Sequence, residues 1–566
     1  MDYRLRQDVE KKLRGEIGTL YAVRQDQTAV ALVYPNTYYV GMSNLGFHAI
    51  YGFLNTCDHV SCERAFLPEP DVLERHQKTG TPLFSLESQT PLSAFDIIAF
   101  SVSFENDYLN ILSILELARV PFTAKKRDTQ SPLIVLGGAV TTINPEPLAM
   151  FVDVVVLGDG EPILAQLTKR YRRITAATDS RQELLEQLAA IPGVYVPSLY
   201  DRDTDDSEQT LHSRPTAKLP AMLEKCSVDT LDHYPAYSRI LTEQTEFGSM
   251  FLLQINRGCC YKCRFCHTGY TQSPLRHLSL EVALRLVRHG LQYRNRIGLV
   301  GAAIADYPHL QELCAAISSQ GGEISVSSLR LSAFLQTGYL LDALINAGQK
   351  TVTMAPEAGT ERLRSILRKP LSDAKFFETV AWTLNAQIQN VKLYFLIGLP
   401  TETWDDIEAI AVMCKRCRQL LVDAAKIRGT IGKIIVSVNP FVPKPFTPFQ
   451  WCPMDTETNL KRKLQYLKRA LHRLGNVEVI HETPKWAIWQ GILARGDRKM
   501  GEVLLLTWRY HGNWKKALRE LGLSPEVYVH RVRQFDEPFP WDHFSVGVSR
   551  QQLYNEYQGL FPEGCQ

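Results

Sequence analysis

Positions 259–266 read CCYKCRFC, four cysteines in eight residues. Thiols packed this densely hold metal as thiolates. The choice lies between zinc, whose closed sites take four protein ligands, and an iron–sulfur cluster, which accepts three and leaves one iron open. Structural zinc usually shows two CxxC pairs, or one such pair and a histidine pair, at short spacing. Here Cys263 and Cys266 form one pair with His267 directly after, and the next pair, Cys414 and Cys417 in CKRC, lies far downstream in a helix-like run. Cys259, Cys263 and Cys266 instead make C-x3-C-x2-C, three thiols on one loop that suit three irons of a 4Fe–4S cluster.

Such a loop needs elements to position it. A chain of 566 residues is too long for one hydrophobic core, so about two to four domains are expected. TAVALVYPN (28–36), FDIIAFSVSF (95–104), PLIVLGGAV (132–140) and VDVVVLGDGE (152–161) are apolar runs ending in polar or glycine residues, with helix-like segments between them. Runs of this kind are buried parallel strands covered on both faces, and their alternation with helices predicts a doubly wound α/β sheet. A polar, acidic stretch follows at 200–220, and then a second alternating series. Its strands are expected at 250–258, 297–305, 323–332, 350–359, 390–400 and 432–446, so the cysteine loop follows the first of them. Six right-handed β–α units curve into an open barrel with its chemistry at the strand ends. The expected divisions are an N-terminal helical segment at 1–27, a Rossmann-like domain at 28–200, a linker at 201–245, a partial (β/α)6 barrel at 246–455 and a mainly helical domain at 456–566.

The 63 basic and 60 acidic residues leave a formal charge of +3, which favours no nucleic-acid or membrane partner and excludes neither. The charged start MDYRLRQDVEKKLRGEIGTL is no signal peptide, and no apolar run reaches the roughly 18–20 residues of a membrane span. The twelve cysteines, single apart from the pairs above, suit reduced thiols, so a cytoplasmic location is expected.

The cysteine spacing, placed after the strand that opens a β–α barrel, resembles the radical S-adenosylmethionine (radical SAM) superfamily. The resemblance implies Cys259, Cys263 and Cys266 as ligands of the 4Fe–4S cluster, with Cys260 a bystander and S-adenosylmethionine (SAM) on the open iron. It also implies a low-potential electron donor, a flavodoxin or ferredoxin, as partner. Phe265 and Tyr270 are expected near the cluster and adenine. Family members often carry Gly-Gly-Glu after the second strand; here Gly301-Ala302-Ala303 lacks the acid, so Gly301 and Ala302 keep only a backbone role toward the SAM amino group. Arg330 is a partner for the SAM carboxylate with Ser327 nearby, Glu357 an acid for the ribose hydroxyls, and Gly398 in FLIGLPTET a turn along adenine. Glu357 also reads as an ordinary salt-bridge carboxylate.

GGAVTTINPEPLAMFVDVVVLGDGEP resembles the cobalamin-binding domain of cobalamin-dependent radical SAM proteins. The implied cofactor contacts are Asn36 and Thr37 after the first strand, Gly137, Gly138 and Asn144, and Gly158, Gly160 and Glu161. The cobalt-ligating D-x-H-x-x-G motif is absent, since Asp58 and His59 are adjacent, so cobalamin is expected without a histidine ligand, its lower face covered from the 36–44 or 103–110 loops. The same fold without cobalamin is the alternative. The resemblance spans about residues 28–450 and belongs to an uncharacterised branch of these enzymes.

The activity implied is methylation of an unactivated carbon of a small-molecule substrate through a 5′-deoxyadenosyl radical and methylcobalamin. Other readings keep different parts: ring closure, rearrangement or anaerobic oxidation with the same cofactors; a non-catalytic redox or light sensor; or RNA modification using LKRKLQYLKRALHRL (460–474) as a basic helix face, although a charge run of this sort is usually a solvated helix. Tyr394, Asn439, Lys444, Trp541, Asp542 and His543 are further residues for a substrate cavity, and no general acid or base is assigned.

Overall fold

The computed structural model describes residues 2–20, 27–202, 213–215, 219–326, 342, 344–346 and 348–560. It forms two compact units, one of Met1–Ser249, Leu493–Val527 and Asp536–Val548, the other of Met250–Ile492, Tyr528–Phe535 and Ser549–Gln566.

The first unit is built on a six-stranded sheet in the order β2-β1-β3-β4-β5-β6. Its strands are β1 (Thr28–Tyr34), β2 (Val60–Phe66), β3 (Ile97–Ser101), β4 (Leu133–Gly137), β5 (Val154–Val156) and β6 (Val194–Tyr195). The first five run parallel and β6 is antiparallel to β5. β-branched and aliphatic side chains dominate β1, β3, β4 and β5, and nearly all are buried, as parallel strands covered on both faces require. Helices α1 (Leu45–Leu54), α2 (Tyr108–Leu117) and α3 (Gly160–Thr175) lie between or after these strands. This order places the reversal of strand sequence between β1 and β3, where ligands of open α/β sheets bind.

β2 was not among the expected strands, because its sequence VSCERAF carries two charges. Both are answered. Arg64, fully buried, pairs with Glu16 at 2.6 Å and Glu87 at 2.6 Å, and Glu63 accepts the Ser88 hydroxyl at 2.6 Å. The late segments also build this unit: the helix Met500–Arg509 packs on α2, and Phe544–Ser545 pairs with Leu223–Glu224.

The second unit holds two parallel sheets. β7 (Met250–Gln254), β8 (Arg296–Val300) and β9 (Glu323–Val326) form the first, in that order. β10 (Thr351–Glu357), β11 (Asn390–Ile397), β12 (Ile434–Pro440) and β13 (Val477–His481) form the second. Helices α4 (Leu280–Gly290), α5 (Leu310–Ser319), α6 (Asp373–Asn385), α7 (Trp404–Arg428) and α8 (Glu457–His472) alternate with them. The described residues beyond 456 are mostly helical, and β13 among them extends the sheet beside β12 as a half-exposed edge strand. Among the described residues no helix is long and apolar enough to cross a membrane.

Candidate functional site

β7 delivers the chain into a loop closed at its neck by a short antiparallel ladder, Asn256 opposite His277 and Arg257 opposite Arg276. Inside it stand Cys259, Cys260, Cys263 and Cys266. Two glycines let the loop fold on itself. Gly258 has φ +90°, and a Cβ there would meet the Gln272 carbonyl oxygen at 2.2 Å; one on Gly269 would meet the Tyr261 carbonyl oxygen at 2.3 Å. Cys266 donates its backbone N–H to the Cys263 carbonyl at 3.0 Å, which sets the CxxC pair on one tight turn. The Tyr270 hydroxyl donates to the Lys262 carbonyl at 3.0 Å, and the Tyr261 hydroxyl donates to Asp306 at 2.7 Å. Cys263 and Tyr270 are buried, Phe265 is half-buried and Cys260 is exposed.

Burial pushes the Cys259 thiol up to about 11, and the neighbouring Cys266, Cys260 and Cys263 push the same way. Thiols crowded like this ionise together only with a cation among them. Among the described residues no three His, Cys, Asp or Glu side chains converge on a point that would hold a metal ion. The sulfurs are neighbours on one loop rather than a formed cradle, and three thiols at this spacing fit a thiolate-held iron–sulfur cluster.

The expected SAM residues fall at three strand ends. After β8, Gly301 is half-buried and Ala302 exposed. A Cβ on Gly301 would stand 2.2 Å from the Asn256 side-chain oxygen. Asn256, fully buried, donates to the Ala303 carbonyl at 2.6 Å and so ties the neck of the cysteine loop to the turn after β8. Sequence reasoning missed this residue; its only signal was an asparagine at the end of an apolar strand. Glu357 ends β10 at φ +67°, beyond a register shift between Met354 and Glu357, and accepts an ion pair from Lys369 at 2.7 Å. A non-glycine residue held in this region marks a backbone the surroundings over-determine, a pattern that clusters at ligand sites. Gly398 ends β11 at φ +77°, its N–H donating to Glu402 at 2.9 Å. Glu402 in turn accepts from Lys463, which also meets Asp455 at 2.7 Å. Ser327 and Arg330 lie outside the described residues.

At the carboxyl ends of the first sheet, Asn36 and Thr37 follow β1, and Gly137 and Gly138 close β4. Asn36 donates to Asp107 at 2.8 Å, Asn110 donates to the Pro35 carbonyl at 2.8 Å, and Asn44 donates to the Ser103 hydroxyl at 3.0 Å. The loops after β1 and β3 are thus laced together across the sheet's switch point. Burial pushes the Asp107 carboxyl up to about 6, with Asn36 pulling it back. Phe104 stands exposed on the loop after β3, and Tyr39 and Val40 on the short helix Tyr38–Met42 that follows β1.

Some expected contacts are engaged elsewhere. Gly138, at φ +100°, is shaped by the Val102 backbone, 2.3 Å from where its Cβ would stand. Gly158, at φ +93°, is shaped by the Cys226 carbonyl at 2.1 Å. Gly160 opens α3, with Glu161 buried behind it. Asn144 is fully buried and donates to the Gly496 carbonyl at 2.7 Å. Beside it Glu146 pairs with Arg498 at 2.6 Å and lies 3.3 Å from His543, so His543 sits in a buried ionic cluster. Trp541 is buried and stacks on Phe539, and Asp542 accepts the Phe539 N–H at 2.7 Å. His59 stands at the amino end of the sheet, 3.0 Å from the Thr168 hydroxyl.

In the second unit, Asn439 accepts the Glu482 N–H at 3.1 Å, Lys392 lies 5.0 Å from the Tyr394 ring, and the Lys444 carbonyl accepts the Thr447 hydroxyl at 2.8 Å. Cys414 and Cys417 are fully buried within α7, and burial pushes the Cys417 thiol up to about 12. On the basic helix α8, Lys461 pairs with Glu457, Arg462 lies over Trp404, and Lys463 is the bridge above. That leaves Lys468, Arg469 and Arg473 solvated at its far end.

Residues 253–414 match the radical SAM superfamily, and residues 46–197 match the N-terminal region of radical SAM proteins. The chain is 29% identical over 477 residues to an uncharacterized protein of Methanocaldococcus jannaschii, a match covering 84% of this chain and 90% of that one. Two solved structures of the cobalamin-dependent S-adenosylmethionine radical enzyme OxsB are loosely similar. With aqua-cobalamin bound, the match has 15% identity and a TM-score of 0.48, over 69% of this chain and 52% of that chain. With aqua-cobalamin and S-adenosylmethionine bound, it has 13% identity and a TM-score of 0.48, over 94% of this chain and 79% of that chain.

Proposed function

We propose that this chain, which belongs to the radical SAM proteins, is a cobalamin-dependent radical SAM enzyme that methylates an unactivated carbon of a small molecule. The observation that carries the reading is the self-closed loop directly after β7 that holds Cys259, Cys263 and Cys266, at the head of a β–α series. When bound, the cluster supplies the electron that splits SAM and cobalamin supplies a methyl carrier; a carbon radical cannot take a methyl cation from SAM directly.

The chain's own residues hold and orient. Cys259, Cys263 and Cys266 carry the cluster. The backbone at Gly301 and Ala302, the Glu357 carboxylate and the turn at Gly398 hold SAM, with Ser327 and Arg330 assigned to its carboxylate from sequence alone. In the first unit, Asn36, Thr37, Gly137 and Gly160 stand at the strand ends assigned to cobalamin, Gly138 and Gly158 shape the turns there, and Asn144 and Glu161, assigned from the resemblance, are buried. Support for cobalamin comes from the resemblance at Gly137, Gly138 and GDGE and from the 2-1-3-4-5 strand order, whose switch point is flanked by the exposed Tyr39, Val40 and Phe104.

The test is anaerobic purification with iron, sulfide and cobalamin assays, then incubation with SAM and dithionite. The expected result is about four irons per chain, bound cobalamin and reductant-dependent 5′-deoxyadenosine. A chain that carries zinc on these sulfurs, or takes no cobalamin, overturns the reading. With a substrate in hand, label from the SAM methyl group is retained in the product only if the reaction is methylation.

A further inference from the structure

Arg264 lies between Cys263 and Cys266, and its contacts lead away from the loop. Its backbone N–H donates to the Leu367 carbonyl at 3.1 Å, and its guanidinium donates to the Ile366 carbonyl at 2.9 Å and to Glu556 at 3.2 Å. Glu556, on the helix Arg550–Gln558, accepts Arg368 on its other oxygen. Arg368 sits at φ +57°, and Lys369, the next residue, is the one that holds Glu357 at 2.7 Å. The fully buried Arg364 anchors the same turn from beneath, donating to the Leu371 carbonyl at 2.8 Å and the Ala358 carbonyl at 3.0 Å.

The helix that presents Glu556 is itself fixed. A capping box of Ser549 and Gln552 starts it, and Tyr554 packs at 4.4 Å on Phe535 and 5.1 Å on Trp451. One carboxylate therefore bridges the middle of the CxxC turn and the turn that carries the partner of Glu357.

We infer that Glu556 is a positioning residue: through Arg264 and Arg368 it locks the cysteine loop against the 366–369 turn, and so sets cluster and SAM-ribose acid in one frame. The inference rests on the radical SAM reading of the site. Glu556 is about 29% exposed and Arg368 about 48%, so the charge pairs alone contribute little stability. Their effect is geometric, with the backbone carbonyls fixing where Arg264 goes. It is also electrostatic, because one carboxylate offsets the two guanidinium charges of Arg264, which belongs to the cysteine loop, and Arg368.

The experiment uses the full chain reconstituted anaerobically with iron and sulfide, comparing the parent with Glu556→Gln, Glu556→Asp and Arg368→Gln. Iron and sulfide content, iron release to a chelator, the reduction potential, and the reduced-cluster EPR spectrum with and without SAM are measured. Glu556→Gln is expected to assemble a cluster that releases iron about 10-fold faster and whose EPR response to SAM is weakened. Its potential should shift positive, since the negative charge that offsets Arg264 of the cysteine loop is lost. Glu556→Asp should recover most of this, and Arg368→Gln should reproduce the weakened SAM response with a negative potential shift. If Glu556→Gln and Arg368→Gln both match the parent in release, potential and spectra, the inference is overturned. If Glu556→Gln fails to fold, Glu556→Asp and Arg368→Gln decide. A parent chain whose cluster ignores SAM overturns the radical SAM reading itself, and the inference falls with it.

Discussion

Replacing Cys263 by alanine removes a buried sulfur from the turn that also positions Cys266. Iron content and 5′-deoxyadenosine formation should fall at least about 100-fold, beyond what loss of an outer-shell contact costs. Cys260→Ala, on the exposed neighbour, should leave both within about twofold; iron assay and chromatography of the nucleoside check the pair. A second residue speaks through pH. Burial raises the Asp107 carboxyl to about 6 in the folded chain from its ordinary 3.8. Below the lower value both states are protonated and the group is neutral in stability. As pH rises through the window between them, the unfolded chain ionises first, and the folded state loses about 1–3 kcal/mol. Asp107→Asn can still meet Asn36, so its advantage over the parent should be absent near pH 3, grow as pH rises through the window and be complete above about pH 7, read as the difference between two melting curves across pH.

An element can fail through a single added carbon. At Gly258 an alanine Cβ would stand 2.2 Å from one carbonyl oxygen and 2.8 Å from another, at a φ that alanine avoids. Gly258→Ala should open the neck of the cysteine loop and cut iron incorporation by about tenfold or more, while far-UV circular dichroism of the remaining strands and helices stays near the parent's. The strands β1, β3, β4, β5, β7, β8, β9, β10, β11 and β12 were legible in the sequence because buried parallel strands are continuous apolar runs. β2 was not, since Glu63 and Arg64 look like surface residues until Glu16, Glu87 and Ser88 arrive from distant positions. β13 escaped for the opposite reason: as an edge strand it is half exposed, and Glu478 and His481 break its apolar pattern. At the site, the cysteine spacing was readable as chemistry, whereas the Arg264–Glu556 contact joins residues 292 positions apart and has no local signal. Asn144 and Glu146, in the motif-like NPEP stretch, proved to face the chain's own later segments.

At the scale of the whole molecule, the first unit is not a contiguous piece of chain. Residues 493–527 and 536–548 supply Arg498 to Glu146, His543 beside it, and Trp508, whose indole donates to Ser113 at 3.0 Å. Residues 1–249 expressed alone should therefore lack a stable fold: Glu146 and Tyr195 would stay in the interior with their main cation gone, a loss of about 3–5 kcal/mol before any apolar surface is counted. Rapid cleavage by trypsin and a broad, weakly cooperative melt are the expected readouts, and a sharp transition matching the full chain would contradict this account. Within the full chain, Arg498→Met should cost a similar amount, measured as a lower urea midpoint. The interleaving also bears on birth order. A polypeptide leaves the ribosome from its amino end, so the six-stranded sheet emerges early but waits for several hundred further residues before its last supports appear. In the interval its exposed flank invites chaperones and nascent neighbours, and the speed of translation through the second unit sets how long that exposure lasts.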